Sequence, residues 1–416
     1  RERASERVSE RASERAAERL SDSAERAGEQ GRGRGGQACD RQAADWRRRG
    51  RRRRAAKEGT PTKRTMRGTV ATCAAVLAAL AGATSGARLG QQQLAEPQLA
   101  LEAELLDAQF GAWQSTHGKV YASETEATYR RAVWAASLEL VNKHNARDDV
   151  RYRLAMNEFA DLTPEEFGSR YLMQAPQPGC SATGNWSAPP LLSLPESVDW
   201  REKGILSPVK NQGKCGSCWT FSTTGAVESH MALYHDEHLL LSEQQLIDCA
   251  GAFDNHGCNG GLPSHAFEYI KYNGGLETED EYAYKATTGK SCHFDKNAAV
   301  KAKVIDSVNI TAYDEHSLTA AIANFGPVSI AYHCADDFRL YHSGVYHMEG
   351  CPDTPADVNH AVLAVGYGVE EVDGEPMEYY IVKNSWGANW GLNGFFKIRR
   401  GVNQCGLSVC NSWPRV

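Results

Sequence analysis

At 416 residues, with 41% hydrophobic and 24% charged positions, the chain has material for two or three domains and a large core. Its formal charge of −6 hides an uneven split: residues 1–65 carry 18 Arg and 2 Lys against 11 acids, and the remainder carries 26 basic against 41 acidic residues, net −15. So acidic a body excludes nucleic-acid binding as its role.

Residues 1–65 begin without methionine, repeat "RASER" from Arg3 and from Arg11, and end in "WRRRGRRRRAAKEG". Such a run reads either as a basic arm or localisation signal, or as upstream low-complexity sequence that is not part of the working protein. The next stretch favours the second reading. Met66 opens "MRGTVATCAAVLAALAGATSGA", with one arginine, an apolar run from Val70 to Ala81 and then small residues. The run is too short to cross about 30 Å of hydrocarbon, so 66–87 reads as a secretory signal peptide cleaved after Ala87, with Met66 as the start and no stable membrane insertion. The secretory pathway is oxidising, and its cysteines are expected in disulfides unless chemistry claims them.

Residues 88–193 divide into a helical part and a linker. Between about 101 and 147 the pattern is helical: Leu106, Phe110 and Trp113 recur at i, i+4, i+7, and Tyr129, Val133, Ala136 and Leu140 repeat the spacing beyond a break at Gly118. Two amphipathic helices are too few to form a core of their own and need a partner surface. From Gln174 to Pro195 the composition shifts to Pro, Gly, Ser and Ala, which predicts a linker. Residues 194–416 are then globular, helical with clustered cysteines to about Tyr284 and strand-like afterwards in "VKAKVIDSV", "PVSIAYH", "AVLAVGYGV", "EYYIVKNSW" and "GFFKIRR". An α+β fold of a helical lobe followed by a β lobe, with a cleft between, is the expected architecture.

The strongest local signal is "NQGKCGSCWTFS", Asn211 to Ser222. Its C-x-x-C can be half a zinc site, a redox pair, or a nucleophile beside a structural cysteine. Zinc would want a second pair of ligands at short spacing, and "DCAGAFDNHGC" offers only an irregular set. A redox pair would want a strand before it, whereas Lys203 to Lys214 is punctuated by Gly and Pro. The nucleophile reading gains from two residues further along the chain: Cys218 is succeeded by His360 in "VNHAVLAVGYG" and Asn384 in "KNSWG", 142 and 166 residues on.

On these motifs the chain from about Phe110 to its end resembles a papain-family cysteine peptidase precursor, and within that family the branch that keeps a disulfide-tethered fragment of its propeptide. Glu126, Arg130, Trp134, Val141 and Asn145 occupy the slots of the family's inhibitory helix motif, and Ala155, Asn157, Phe159 and Asp161 resemble the strand motif after it. Ser137, Trp134 and Ala155 depart from the usual Asn, Phe and Gly. The resemblance implies a zymogen whose propeptide, 88–193, inhibits its own two-lobed, papain-like peptidase domain, 194–416, with peptide and protein substrates, cystatin-type inhibitors as partners, and neither cofactor nor metal.

It also implies roles. A free thiol of pKa about 8.5 is roughly one part in a thousand thiolate at pH 5.5, and a helix N-terminus supplies only about 0.3–2 kcal/mol towards lowering it. His360 is therefore needed as ion-pair partner of Cys218 and as general acid to the leaving amine. Asn384 would orient the imidazole, Trp386 would shield that bond and line the substrate site, and Gln212 would join the Cys218 N–H at the oxyanion. Gly260 and Gly261 of "GCNGG" would let a substrate backbone approach.

Ten cysteines lie from Cys180 onward. Without the nucleophile nine remain, so at least one is unpaired. The resemblance implies Cys215 with Cys258, Cys249 with Cys292, and Cys351 with Cys405. It further pairs Cys180 in "CSAT" with Cys410, which would tether a mini-chain of about 175–183 after cleavage beyond Thr183 and leave Cys334 free. Thr183 would then present a carboxylate in the non-primed subsites, making the enzyme mainly an aminopeptidase with limited endopeptidase activity. Sequons at Asn185 and Asn309 fit a glycoprotein sorted to the lysosome or secreted. Two rivals remain: an ordinary endopeptidase that loses the mini-chain, and a catalytically silent binding protein on the same fold.

Overall fold

The computed structural model describes residues 85–175, 182–189, 192–298, 302–372 and 374–416, with side chains from Leu101 onward. The basic segment 1–65, the signal-peptide residues to Thr84 and Cys180 lie outside the described residues. Ser85–Val416 forms one compact unit. Among the described residues no helix is long and apolar enough to cross a membrane.

Helix α1 (Ser85–Thr116) ends before Gly118, whose φ of +59° suits a residue without Cβ, and α2 (Glu124–Asn145) follows with Ser123 capping the Glu126 N–H. Strand β1 (Tyr152–Leu154) and α3 (Pro164–Tyr171) complete the propeptide block; α3 is closed by a Thr163–Glu166 capping box. Phe110 lies 5.5 Å from Trp134, and Trp113 donates its indole N–H to Asn157 O at 3.0 Å. These side chains belong to one apolar cluster that continues into the β lobe, so the two helices have the partner surface they lacked. The face that α2 buries is Arg130, Trp134, Ser137 and Val141, whereas Tyr129, Ala136 and Leu140 of the expected stripe are exposed.

After short strands β2 (Gly184–Trp186) and β3 (Val198–Asp199), the helical lobe is built from α4 (Cys218–His235), α5 (Glu243–Cys249) and α6 (Pro263–Asn273). The β lobe contains β4 (Asp306–Ile310), α7 (Glu315–Phe325), β5 (Val328–Tyr332), β6 (Tyr341–Tyr346), β7 (His360–Val372), β8 (Glu375–Lys383), β9 (Phe395–Arg399) and β10 (Cys410–Arg415). The strand order is β1-β6-β9-β8-β7-β5-β10-β4-β2, with β3 on β7. Propeptide strands thus stand at both ends of that order. A second apolar cluster fills the helical lobe around Trp219, Phe267 and Leu241. The expected two-lobed α+β architecture is present, with three differences of detail. Strand β4 begins at Asp306 rather than in "VKAKV", α7 interrupts the β half, and β6 and β10 form despite Gly344 and Pro414.

Candidate active site

Cys218 is the first residue of α4, the buried helix against which β7 packs, and Ala361 N–H donates to its Sγ at 3.3 Å. The residue before Ala361 is His360. Its Nε2 lies 2.9 Å from Asn384 Oδ1, and the Ser385 N–H donates to the same oxygen at 2.8 Å. A backbone N–H can only donate, so the atom facing it is the amide oxygen, and His360 must carry its proton on Nε2. Nδ1, which has no hydrogen-bond partner among the described residues, is left as a base. Trp386 stacks on the imidazole at 4.8 Å and is itself fully buried.

Gln212 is held on every side. Its backbone N–H donates to Ser385 O at 2.8 Å and its Oε1 accepts from the Ser385 hydroxyl at 2.7 Å. The Tyr284 hydroxyl, which also bonds Ser217 at the start of α4, donates to Gln212 O at 2.6 Å. The side-chain NH2 is thereby aimed, donating to Cys215 O at 2.7 Å and to Tyr171 O at 2.8 Å. Tyr171 belongs to the propeptide, so a polypeptide carbonyl already occupies this donor.

The chain then crosses the cleft in extended form. Met173 N–H donates to Asn359 O, and Gln174 and Ala175 N–H both donate to Asn259 O, each at 2.8 Å. A Cβ on Gly216 would fall 2.5 Å from Cys258 O and 2.6 Å from Leu172 O, so this glycine admits both the Cys258 backbone of the peptidase domain and the crossing chain. Gly260 takes φ +124° and its carbonyl accepts the His256 N–H at 2.8 Å, and Gly261 has a separate role. A Cβ on Gly261 would lie 2.3 Å from Asn255 Oδ1 and 2.8 Å from the Trp219 ring, so that glycine serves packing, and the backbone partner is their neighbour Asn259. Above the site, Phe159 and Phe167 meet Trp386 edge-on at 5.7 and 5.1 Å.

This cover sets the ionisation. Burial pushes the Cys218 thiol up to about 12, beyond what the Ala361 and Trp219 N–H groups return, and burial draws His360 down to about 4 despite the Asn384 bond. The pair expected as thiolate and imidazolium is neutral in the covered chain.

Disulfides join Cys215–Cys258, Cys249–Cys292 and Cys351–Cys405, so Cys215 is bonded away from Cys218. Cys334 is free and buried, its thiol pushed well up by burial, and its N–H donates to Asn359 Oδ1 at 2.7 Å. Cys410 is disulfide-bonded at the start of β10; its expected partner Cys180 is outside the described residues. Thr183 is not at the cleft in the uncut chain: its N–H donates to Glu268 Oε1 at 2.8 Å and Lys271 Nζ donates to its hydroxyl at 2.9 Å. Of the two sequons, Asn185 is exposed, whereas Asn309 lies in β4 between β10 and β2, 7% exposed; in the uncut chain a glycan has an exit at Asn185 and not at Asn309. Of the parts that sequence reasoning missed, Asn259, Asn359 and Gly216 act through their backbone, for which side-chain type is a weak signal, and Ser385 and Tyr284 act through hydroxyls on residue types too common to single out.

A buried Cys–His–Asn arrangement at the start of a helix, capped by an extended segment of the same chain, defines a cysteine peptidase in its proenzyme form. Residues 194–414 match the family described as papain family cysteine protease, and residues 110–167 match the cathepsin propeptide inhibitor domain. The chain belongs to the papain family. It is 52% identical over 308 residues to cysteine proteinase 2 of Zea mays, spanning 74% of this chain and 84% of that one. It is 48% identical over 306 residues to pro-cathepsin H of Bos taurus, spanning 73% and 89%. Among solved structures, the digestive procathepsin L2 proteinase from Tenebrio molitor larval midgut superposes with a TM-score of 0.69 at 36% identity, covering 75% of this chain and all of that one.

Proposed function

We propose that the mature enzyme, about 194–416, hydrolyses peptide bonds through a Cys218 thioester and acts mainly as an aminopeptidase. Once the propeptide leaves and water enters, the thiol proton passes to His360 Nδ1. The thiolate attacks the scissile carbonyl, and the oxyanion is held by Gln212 Nε2–H and the Cys218 N–H. His360 then protonates the leaving amine, and water cleaves the thioester. The observation that carries this reading is the Gln212–Tyr171 bond: the donor assigned to the oxyanion is already satisfied by a peptide carbonyl. It also argues against the silent-binder rival, because a fold without chemistry has no need to cover its thiol.

The aminopeptidase reading rests on the disulfide-bonded state of Cys410, the "CSAT" segment and the similarity to pro-cathepsin H. Cleavage after Thr183 would leave a mini-chain tied through Cys180 to Cys410, its new carboxylate free to move from Glu268 into the cleft and pair with a substrate α-ammonium. Such a bond is worth about 1.5–3 kcal/mol, roughly ten- to a hundredfold in preference. Lysosomal delivery through a glycan, and inhibition by cystatin-type proteins, belong to the same reading.

Two measurements test it. Cys218→Ala should lower turnover by several powers of ten with an unchanged melting temperature, and activity above about 1% of wild type rejects the nucleophile. Cys180→Ser should release the mini-chain and shift the ratio of free-amine to N-acetylated substrate cleavage by at least tenfold; an unchanged ratio leaves an ordinary endopeptidase.

A further inference from the structure

The propeptide touches the peptidase domain a second time, away from the cleft. Thr183 is fixed by Glu268 and Lys271 of α6, and its hydroxyl also contacts Asp306. Gly184, Asn185 and Trp186 pair in parallel with Val308, Asn309 and Ile310, Thr311 N–H donates to Trp186 O at 3.3 Å, and Ala188 N–H donates to Ser317 Oγ at 2.8 Å. A Cβ on Gly184 would stand 3.2 Å from Asp306 Oδ2, so a glycine permits this approach. The Trp186 ring meets Phe325 edge-on at 5.2 Å and Trp413 at 5.5 Å, and those two rings stack at 5.1 Å. No residue of this set contributes to the cleft crossing, which uses Gln212, Gly216, Asn259 and Asn359.

The Thr183–Gly184 bond therefore lies between two anchored residues, and from Gly184 to Trp186 one side of the backbone is committed to β4, β2 being the last strand of the order. A peptidase binds the residues around a scissile bond as an extended strand and needs those same backbone groups. The polar anchors exchange for water at a small net cost each, whereas Trp186 is the one large apolar side chain of the docked stretch.

We propose that the edge of β4 and the Phe325–Trp413 slot form a second propeptide-docking surface, which holds Gly184–Ala188 away from any peptidase until Trp186 leaves. The inference deepens the reading that the chain is cut after Thr183, and rests on it for the identity of the bond protected. Docking here is independent of docking in the cleft. The linker can open while inhibition persists, so the mini-chain terminus is made by release at β4 and not by release of Cys218.

The test uses the full-length zymogen carrying Cys218→Ser, which cannot cut itself, incubated with separately matured enzyme, with cuts between Thr183 and Ser193 timed by mass spectrometry. Trp186→Ala should raise the rate of the first cut in that stretch at least tenfold, and Trp186→Phe should raise it less. Hydrogen exchange at the Met173, Gln174 and Ala175 amides should stay as slow as without the Trp186 change. Equal cutting rates with and without Trp186, no cutting included, overturn the proposal, as does loss of protection at Met173–Ala175 in Trp186→Ala. Accelerated cutting that avoids the Thr183–Gly184 bond keeps the docking surface and removes Thr183 as the mini-chain terminus.

Discussion

Two stretches of one propeptide hold the same peptidase by different physics. Residues 110–175 form a block with its own side-chain logic: Phe110, Trp113 and Trp134 pack together, and the buried Arg130 bonds Glu166 at 2.6 Å and Asp161 O at 2.9 Å. Lys119 pairs with Asp161 at 2.9 Å, and Phe159 and Phe167 press on Trp386. Residues 182–189 have no such block. They are a strand only because β4 offers an edge, and one indole supplies most of their apolar contact. Inhibition belongs to the first stretch, which places a carbonyl on Gln212 and dries Cys218; the second positions chain without touching the chemistry.

The largest expected effect breaks the first stretch alone. Removing a buried aromatic ring costs about 3–5 kcal/mol, and Phe167 is 3% exposed against Trp386. Phe167→Ala in otherwise wild-type, unprocessed protein should raise hydrolysis of a dipeptide-sized substrate at neutral pH by two powers of ten or more. Trp186→Ala, assayed in the same way, should leave that rate unchanged. If both variants release inhibition equally, the two stretches are one device and the contrast is wrong.

A second effect, up to about a hundredfold, follows from counting protons in the cleft. Covered, the pair holds one proton, on the sulfur, from pH 4 upward, because His360 stands at about 4 and the thiol at about 12. Released, the proposed ion pair also holds one, on the imidazole. Release therefore takes up no proton at this site, and the pair gives propeptide docking no pH dependence. Cys218→Ser removes that balance. His360 is then depressed in the docked state and returns towards its ordinary 6.5 on release, so docking is undiminished above 6.5 and loses up to about 3 kcal/mol as the pH falls from 6.5 to 4. Pulsed hydrogen exchange at the Met173 amide, read seconds after a pH jump, should show this loss in the serine variant and not in wild type. Equal slopes would mean that the released pair is not an ion pair.

How much of this was legible in the chain divides along the same line. The first propeptide helix shows through because Leu106, Phe110 and Trp113 sit at helical spacing. The second shows as a helix but with the wrong face, since Arg130, Trp134, Ser137 and Val141 are buried while Tyr129, Ala136 and Leu140 of the apolar stripe are exposed. The residues around Cys218 show through because their chemistry needs particular side chains at particular intervals. The linker strand was invisible: "GNWSAPP" has the composition of a tether, and only the β4 edge makes it a strand. Strands β6 and β10 were hidden for a related reason. Gly344 takes φ +83° where Arg151 and Tyr152 of the propeptide crowd it, and Pro414 pairs with Ser307 of β4 beyond the last residue of β10 that pairs with β5, Ser412, where a missing N–H is tolerated. The ionisation of Cys218 was also beyond sequence, since it depends on what covers the thiol and not on the residues beside it in the chain.

The smallest effect separates charge from capping inside the inhibitory block. Burial alone would raise the Glu166 carboxyl, but the Arg130 hydrogen bond, the Thr163 N–H and the guanidinium charge outweigh it and hold the group below its usual range. A depressed carboxylate contributes stability that is complete above its ordinary value and is lost as the pH falls through the depressed one. Glu166→Gln keeps the acceptor of the Thr163 capping box and deletes the charge opposite Arg130, so it should cost about 1.5–2 kcal/mol at neutral pH, the lower end of the range for hydrogen bonds to charged groups. In the Cys218→Ser zymogen, where His360 affects both proteins alike, melting temperatures with and without Glu166→Gln should differ most at neutral pH and converge as the pH drops below the ordinary carboxylate value of 4.5. Curves that run parallel through that range would mean that Glu166 serves only as the cap of α3, and that the buried Arg130 is satisfied by Asp161 O without it.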